Sequence, residues 1–468
     1  MSRISTLSTV EQVGSTVTVA GWVHSVRDHG KVLFIDLRDR TGVLQVVAGP
    51  WVAEAYAALK LVGPEWVVRI TGTVAARPEK LINPELATGT VELQATEVEI
   101  LSQSLTPPFA IDQNSAGVDE ELRLKYRYLD LRTDRMRKNL EARAKLFAAT
   151  RTFFMQEGFT EVDTPILTAT TPEGARDYVV PSRKHGLFYA LPQSPQQFKQ
   201  LLMVAGLERY FQIARCFRDE DSRKDRQPEF TQLDFEMSFI TQEEVLNLAE
   251  RWFTAVITEL YPEKHFTFKE WPRIPYNEVM EKYGNDRPDL RINKEDPNEL
   301  AAFFVVDFPM FEPDEQTGGW TFMHNPFTSV LPQDLEDFMA GNRIGELLSQ
   351  QYDFVMNGFE MGSGSIRAHR PEQLRQTLTI MGFDADRIQR NFGHMLEAFE
   401  YGVPPHGGMA PGLDRLVMLL QGEPNIREVI PFAKTGEGFD PLTNAPSPLR
   451  ADQLTDLSLS ILPPKPTK

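Results

Sequence analysis

Within ERYFQIARCFRDEDSRKDRQPEFTQLDFEMSF, residues 208–239, one short stretch holds Arg218, Phe230, Asp234 and Glu236. An arginine offers a forked donor suited to phosphate. A phenylalanine offers a flat surface for a base. Together they are the parts of a site for an anionic, aromatic ligand. A solvated strand face carrying surface ion pairs would use the same residue types.

These residues need a strand to align them. From Phe230 onward, Gln232, Asp234 and Glu236 fall on one face. Leu233, Phe235, Met237 and Phe239 fall on the other, which is the alternation of a half-buried strand. Tyr210–Phe217 is also strand-like, so the segment is expected to form a long antiparallel hairpin with a charged tip.

The run FRDED followed by RQPEFTQLDFEMSF resembles motif 2 of class II aminoacyl-tRNA synthetases, in detail the bacterial-type aspartyl enzymes. The other two motifs of that family have counterparts in order. A helix expected over 134–157 carries Met136, Leu140, Ala144, Phe147 and Phe154 close to one face. Gly158 ends it, and the strand FTEVDTPIL runs on to Pro165. This is similar to motif 1, about 134–165, which implies a homodimer. GGMAPGLDRLVMLL (407–420) resembles motif 3, with Arg415 in the first turn of a helix whose N-terminus favours anions.

The composition agrees with a reading in two or three domains. The 468 residues are 41% hydrophobic and contain no membrane-spanning run. One cysteine, Cys216, excludes an internal disulfide and a cysteine-based zinc site, and fits a reducing cytoplasm. The net charge of −17 argues mildly against nucleic-acid binding. A basic stripe, Arg123, Lys125, Arg127, Arg132, Arg135, Arg137 and Lys138, reads most simply as a solvated helix approach.

Three strands, a helix at 51–61 and two further strands give residues 1–103 the order of an OB-fold barrel. Phe34 shares its strand's polar face with Asp36 and Arg38, which suits stacking on an unpaired base. Resemblance to anticodon-binding domains implies that Arg27, Phe34, Gln45, Arg77 and Glu92 contact the anticodon loop. Residues 104–121 have a linker composition, and 122–468 would form the catalytic domain. The expected fold is α+β, an OB barrel joined to a class II catalytic domain on an antiparallel sheet flanked by helices.

The resemblance implies a site. Arg218 would hold the α-phosphate of ATP, and Arg415 the γ-phosphate. Asp219, Glu220, Gln227, Phe230, Gly412, Leu413 and Asp414 would complete the nucleotide site, with Phe230 stacked on adenine. Glu360 and Asp353 would hold magnesium with ATP. They lie seven apart in YDFVMNGFEMGSGSIRAHR (352–370), read as a strand followed by a Gly/Ser turn. One strand would set them on opposite faces unless a bulge intervened. Gly362, Ser363 and Gly364 would let a ligand approach the backbone.

Glu173, Gln196 and Asp234 would serve the ammonium of L-aspartate, and Lys199, Arg367 and His324 its carboxylates, with Arg218 nearby. Two converging cations fit a carboxylate better than a neutral amide, which weighs against an asparaginyl enzyme. A non-catalytic single-strand-binding paralogue is the reading from another class; Arg218, Glu360 and Arg415 speak against it. Neither GxxxxGK[ST], GxGxxG, HIGH nor KMSKS occurs. The implied product is aspartyl-tRNA(Asp). For tRNA(Asn), His29 resembles the relaxed type and Lys80 the strict type. The domain that bacterial aspartyl enzymes insert between motifs 2 and 3 is missing, because 283–292 runs almost directly into 303–311.

Overall fold

The computed structural model describes residues 2–170, 173–221, 224–315 and 317–463. Two compact units divide it, Met1–Arg137 and Lys138–Lys468.

The first unit holds a closed barrel of β1 (Thr16–Asp28), β2 (Leu33–Asp39), β3 (Gly42–Ala48), β4 (Val67–Ala76) and β5 (Val91–Ser102), in the order β1-β2-β3-β5-β4. Helix α1 (Ala53–Leu59) lies between β3 and β4 in the chain. The inward positions Val19, Val23, Ile35, Leu37, Leu44, Val46, Ile70 and Leu93 are fully buried. Phe34, Asp36 and Gln45 alternate with them. Arg38 keeps its place on the polar face but is buried there, its guanidinium 2.8 Å from Glu65. The basic stripe is a solvated approach only in part: Lys125 and Lys138 are exposed. Arg123 and Arg127 are buried around Asp130, at 3.4 and 2.7 Å.

In the second unit an eight-stranded sheet comprises β6 (Thr160–Glu161), β7 (Arg209–Phe217), β8 (Glu229–Ser238), β9 (Arg273–Pro275), β10 (Ala302–Val306), β11 (Gln351–Met356), β12 (Phe359–Ile366) and β13 (His406–Pro411). Its order is β9-β10-β11-β12-β13-β8-β7-β6. The six central strands pair antiparallel, and both edge strands pair parallel. Helices α2 (Asp134–Gln156), α3 (Gln196–Val204), α4 (Gln242–Leu260) and α5 (Leu413–Leu420) accompany it. A capping box, Thr241 with Glu244, starts α4. Among the described residues no helix is long and apolar enough to cross a membrane.

The hairpin β7–β8 forms as expected, with Glu229 opposite Phe217 and Met237 opposite Arg209. Phe239 leaves the apolar face; it lies past the strand end with φ 59° and its ring is exposed. In α2, Ala144 is exposed, and the buried side from Asn139 onward is Asn139, Arg143, Leu146, Thr150 and Phe154. Polar members of that stripe are committed to bonds, such as Trp252 Nε1 donating to Thr150 Oγ1 at 3.3 Å. The strand expected through Pro165 shrinks to Thr160–Glu161, since Pro165 has no amide for a ladder.

The segment 352–370 is a hairpin rather than one strand and a turn. Asn357 and Gly358, both with positive φ, make the reversal. The run GSGSI lies inside β12. Its glycines answer to the neighbouring strands: a Cβ on Gly362 would sit 2.5 Å from Pro411 Cα, and one on Gly364 2.3 Å from the Gly408 carbonyl. Strand packing thus demands them in addition to the expected ligand approach, and Gly362, Ser363 and Gly364 all lie along the cavity of this unit.

Candidate active site

A cavity of about 460 Å³ opens over the central strands of the second unit, a size suited to a small-molecule site. The alternation in β8 aims Gln232, Asp234 and Glu236 to one side, and both carboxylates are fully buried. Helix α3 lays Lys199 against them. Its Nζ donates to Asp234 Oδ2 at 2.9 Å and lies 3.2 Å from Glu236 Oε2. From the end of β12, Arg367 donates to Glu236 through Nε at 2.8 Å and Nη2 at 3.0 Å, and through Nη1 to Ser365 Oγ at 2.7 Å. Two cations and two carboxylates thus share one buried network.

Their electrostatics differ. Burial would raise Glu236, but Arg367 and Lys199 outweigh it and hold its carboxyl at about 2. Burial raises Asp234 against the pull of Lys199. Asp234 Oδ1 has no hydrogen-bond partner, a costly state for a buried oxygen. That atom is an unfilled acceptor at the cavity wall.

The other expected residues are distributed around the same cavity. Glu173, Gln196, Lys199, Arg218, Glu220, Gln227, Phe230, Asp234, His324, Glu360, Arg367, Gly412, Asp414 and Arg415 line it. Three do not. Leu413 is fully buried, Asp219 bonds through its backbone to Arg176, and Asp353 stands behind the wall. Arg218 lies over the ring of Phe230, 5.1 Å from its centroid. Gln227 accepts from the Lys434 amide at 2.9 Å, leaving its own buried Nε2 unpartnered. Arg415 is held by Asp225 at 3.2 Å and by the Glu360 carbonyl. Asp414 points away from solvent, binding Arg143 and accepting from the Thr231 amide at 2.7 Å. It ties α2, α5 and β8 together.

Asp353 and Glu360 come from opposite strands of the β11–β12 hairpin, where the register slips between Phe354 and Val355. The opposite-face argument, which assumed one strand, therefore does not apply. Asp353 accepts from Ser363 Oγ at 2.7 Å and Gln351 Nε2 at 3.1 Å, and lies 3.4 Å from His324 Nε2. Burial opposes a charge on His324, yet Asp353 raises its pKa. Burial and then Asp353 raise Glu360. Asn325, next to His324, accepts from the Phe327 amide at 3.0 Å and so shapes the turn that carries the histidine.

Sequence reasoning missed the wall residues Gln193 and Ser194 and, behind the wall, Ser365. Ser194 donates to Glu173 Oε2 at 2.7 Å, Gln193 fixes Ala175 and Asp177, and Ser365 braces Arg367. The spacing Ser363, Ser365, Arg367 was a usable signal, since residues two apart share a strand face.

In the first unit, Arg27 pairs with Asp36 at 2.5 Å, opposite Phe34 in register. Gln45 Nε2 donates to Glu92 at 3.0 Å, and Gln45 Oε1 accepts from Arg77 Nη2 at 3.3 Å. All five expected anticodon residues therefore belong to this one barrel.

Comparison with known proteins decides the family. Residues 119–436 match the tRNA synthetases of class II (D, K and N), and residues 17–101 match the OB-fold nucleic-acid-binding domain. The chain belongs to the class II tRNA synthetases. It is an aminoacyl-tRNA ligase with an OB-fold anticodon-binding domain. An aspartate–tRNA(Asp/Asn) ligase of Rubrobacter xylanophilus is 41% identical over 578 residues, covering 97% of this chain and 96% of the relative. An aspartate–tRNA ligase of Streptomyces coelicolor is 40% identical over 575, covering 97% of each. Both alignments are longer than the whole 468-residue synthetase, so each relative carries many residues that this chain lacks. In fold it resembles an Entamoeba histolytica aspartyl-tRNA synthetase (TM-score 0.70, 24% identity, 91% of this chain and 90% of that one). It also resembles a Pyrococcus horikoshii asparaginyl-tRNA synthetase with asparaginyl-adenylate (TM-score 0.71, 22%, 91% and 96%).

Proposed function

We propose that the chain is an aspartate–tRNA ligase. The aspartate α-carboxylate attacks the α-phosphorus of ATP, giving aspartyl-adenylate and pyrophosphate. The terminal ribose 3′-hydroxyl of tRNA(Asp) then takes the aspartyl group and releases AMP. The observation that carries this reading is the buried pairing of Lys199 and Arg367 with Asp234 and Glu236 on one wall. Two cations suit the side-chain carboxylate. The open Oδ1 of Asp234 suits the ammonium, with Glu173 and Gln196 beside it.

In this site the protein works by positioning and charge neutralisation. Arg218 grips the α-phosphate, Arg415 the γ-phosphate, and Phe230 carries adenine with the free Nε2 of Gln227 nearby. Magnesium, carried with ATP, would neutralise phosphate charge. Glu360, a hard oxygen donor at the wall, fits it, with water and phosphate oxygens completing the shell. Asp353 acts through His324. An asparaginyl enzyme has no use for two cations at a neutral amide, and a decayed paralogue has none for Arg218, Glu360 and Arg415 at one wall.

A second reading concerns range. His29 stands edge-on to Phe34, 5.5 Å between ring centroids, and the Rubrobacter xylanophilus relative is named for both tRNA(Asp) and tRNA(Asn), which supports service of tRNA(Asn) as well, while Lys80 speaks for the strict type. The working form is a cytoplasmic homodimer. Met155, Ile166, Leu167, Val179 and Phe188 leave apolar surface exposed for a second copy. The deciding experiment is aspartate-dependent ATP–pyrophosphate exchange, followed by charging of purified tRNA(Asp) and tRNA(Asn) separately. No exchange with aspartate overturns the reading. Charging of tRNA(Asp) alone overturns the wider range.

A further inference from the structure

Behind Gln196 runs a chain of hydrogen bonds that ends on a backbone carbonyl. Gln196 Nε2 lies 2.9 Å from Gln200 Oε1, one helical turn along α3. Gln200 Nε2 lies 3.0 Å from His406 Nε2 on β13. His406 Nδ1 lies 2.8 Å from the Pro404 carbonyl. Gln200 and His406 are fully enclosed, so neither can turn to water instead.

The chemistry of the last link fixes every other one. A carbonyl only accepts, so His406 Nδ1 must carry the hydrogen. In a neutral imidazole Nε2 is then an acceptor, and Gln200 must offer it the amide NH₂. The oxygen of Gln200 therefore faces Gln196 and takes an N–H from it. With its NH₂ turned to Gln200 and one N–H committed there, Gln196 presents its oxygen as the end facing the cavity. We infer that His406 and Gln200 are positioning residues that hold the Gln196 amide with its oxygen, not its NH₂, toward the substrate ammonium.

This deepens the proposed function and rests on Gln196 facing the amino end of aspartate. Glu236, Arg367 and His369 are the charged or titratable groups acting on His406, and the first opposes the other two. Burial dominates and lowers His406 to about 4, so the neutral tautomer needed by the chain of bonds persists near neutrality. Without that chain the Gln196 amide could present either end. An NH₂ turned to an ammonium would place donor against donor beside the unfilled Oδ1 of Asp234.

The test compares L-aspartate with succinate, which keeps both carboxylates and lacks the ammonium. Gln200→Met removes the relay while preserving side-chain length. The expected result in pyrophosphate exchange is a rise in KM for aspartate of about tenfold, the effect of one lost bond to a charged group. KM for ATP and inhibition by succinate should change less than about twofold on the same scale. Gln200→Glu serves as the conservative variant. Its carboxyl still accepts from Gln196 and can supply the proton shared with His406, so the wild-type ratio of aspartate to succinate affinity should survive. Equal weakening of aspartate and succinate by Gln200→Met would overturn the inference, as would loss of the ratio in Gln200→Glu. Absence of aspartate-dependent exchange in the wild-type enzyme would instead reject the functional reading itself.

Discussion

Arg367 meets Glu236 with two parallel bonds, Nε to Oε1 at 2.8 Å and Nη2 to Oε2 at 3.0 Å, although 131 positions separate them in the chain. Gly408 makes room for the pair, since a Cβ there would lie 2.4 Å from Glu236 Oε2. The fork is thus oriented before any ligand arrives, and the charge it presents is set by how many carboxylates share it.

Replacing Glu236 by Gln removes the anion while keeping the shape. Arg367 and Lys199 then lose a buried counter-charge, which costs about 3–5 kcal/mol in sites of this kind. The expected outcome is a clear drop in the urea midpoint together with weaker aspartate binding. A midpoint equal to wild type would show that the pair contributes nothing to stability.

Lys199→Met should act on choice of amino acid. Loss of the ammonium leaves Asp234 and Glu236 facing each other and takes one cation from the wall. The preference for aspartate over asparagine in pyrophosphate exchange is expected to vanish, with lowered stability. A preserved preference would remove Lys199 from the specificity role.

Phe34→Ala should separate the two units by function. Stacking on one base contributes about 1–3 kcal/mol, so kcat/KM for tRNA(Asp) should fall by about tenfold or more. Aspartate-dependent pyrophosphate exchange involves no tRNA and should stay at the wild-type rate. An unchanged charging rate on tRNA would place the base contact elsewhere.

Acid should weaken the fold in two stages. His406 is lowered from 6.5 to about 4, so the unfolded chain binds its proton first and stability declines as pH falls from 6.5 toward 4. Glu236 is lowered from 4.5 to about 2, so its contribution is complete above 4.5 and is lost as pH falls toward 2. Urea midpoints at pH 7, 5.5 and 4.5 should decrease in that order, and His406→Gln should flatten the upper stage. A midpoint constant from pH 7 to 4.5 would contradict the His406 assignment, and one constant from pH 4.5 down to about 3 would contradict that of Glu236.

How much of this was readable beforehand depended on whether the signal was local. Phe230 to Met237 alternates within one strand, so the motif 2 hairpin and its polar face could be read residue by residue. The barrel was readable for the same reason. The β11–β12 hairpin was misread, because Gly362, Ser363 and Gly364 have weak strand preference and neighbouring strands hold them there. Asn357–Gly358 was the better turn signal. Partners such as Glu236 for Arg367, Arg143 for Asp414 and His406 for Gln200 come from remote segments, and spacing along the chain says nothing about them.

Cys216 is the chain's sole cysteine and lies fully buried in β7, its thiol raised to about 12 by enclosure and bonded to Gln232. The folded surface therefore offers no competing sulfur to a maleimide dye. One cysteine introduced at exposed Trp51 of the barrel and another at exposed Phe239 would accept a fluorophore pair without removal of the native residue. Energy transfer between them would follow the distance between the two units through each turnover.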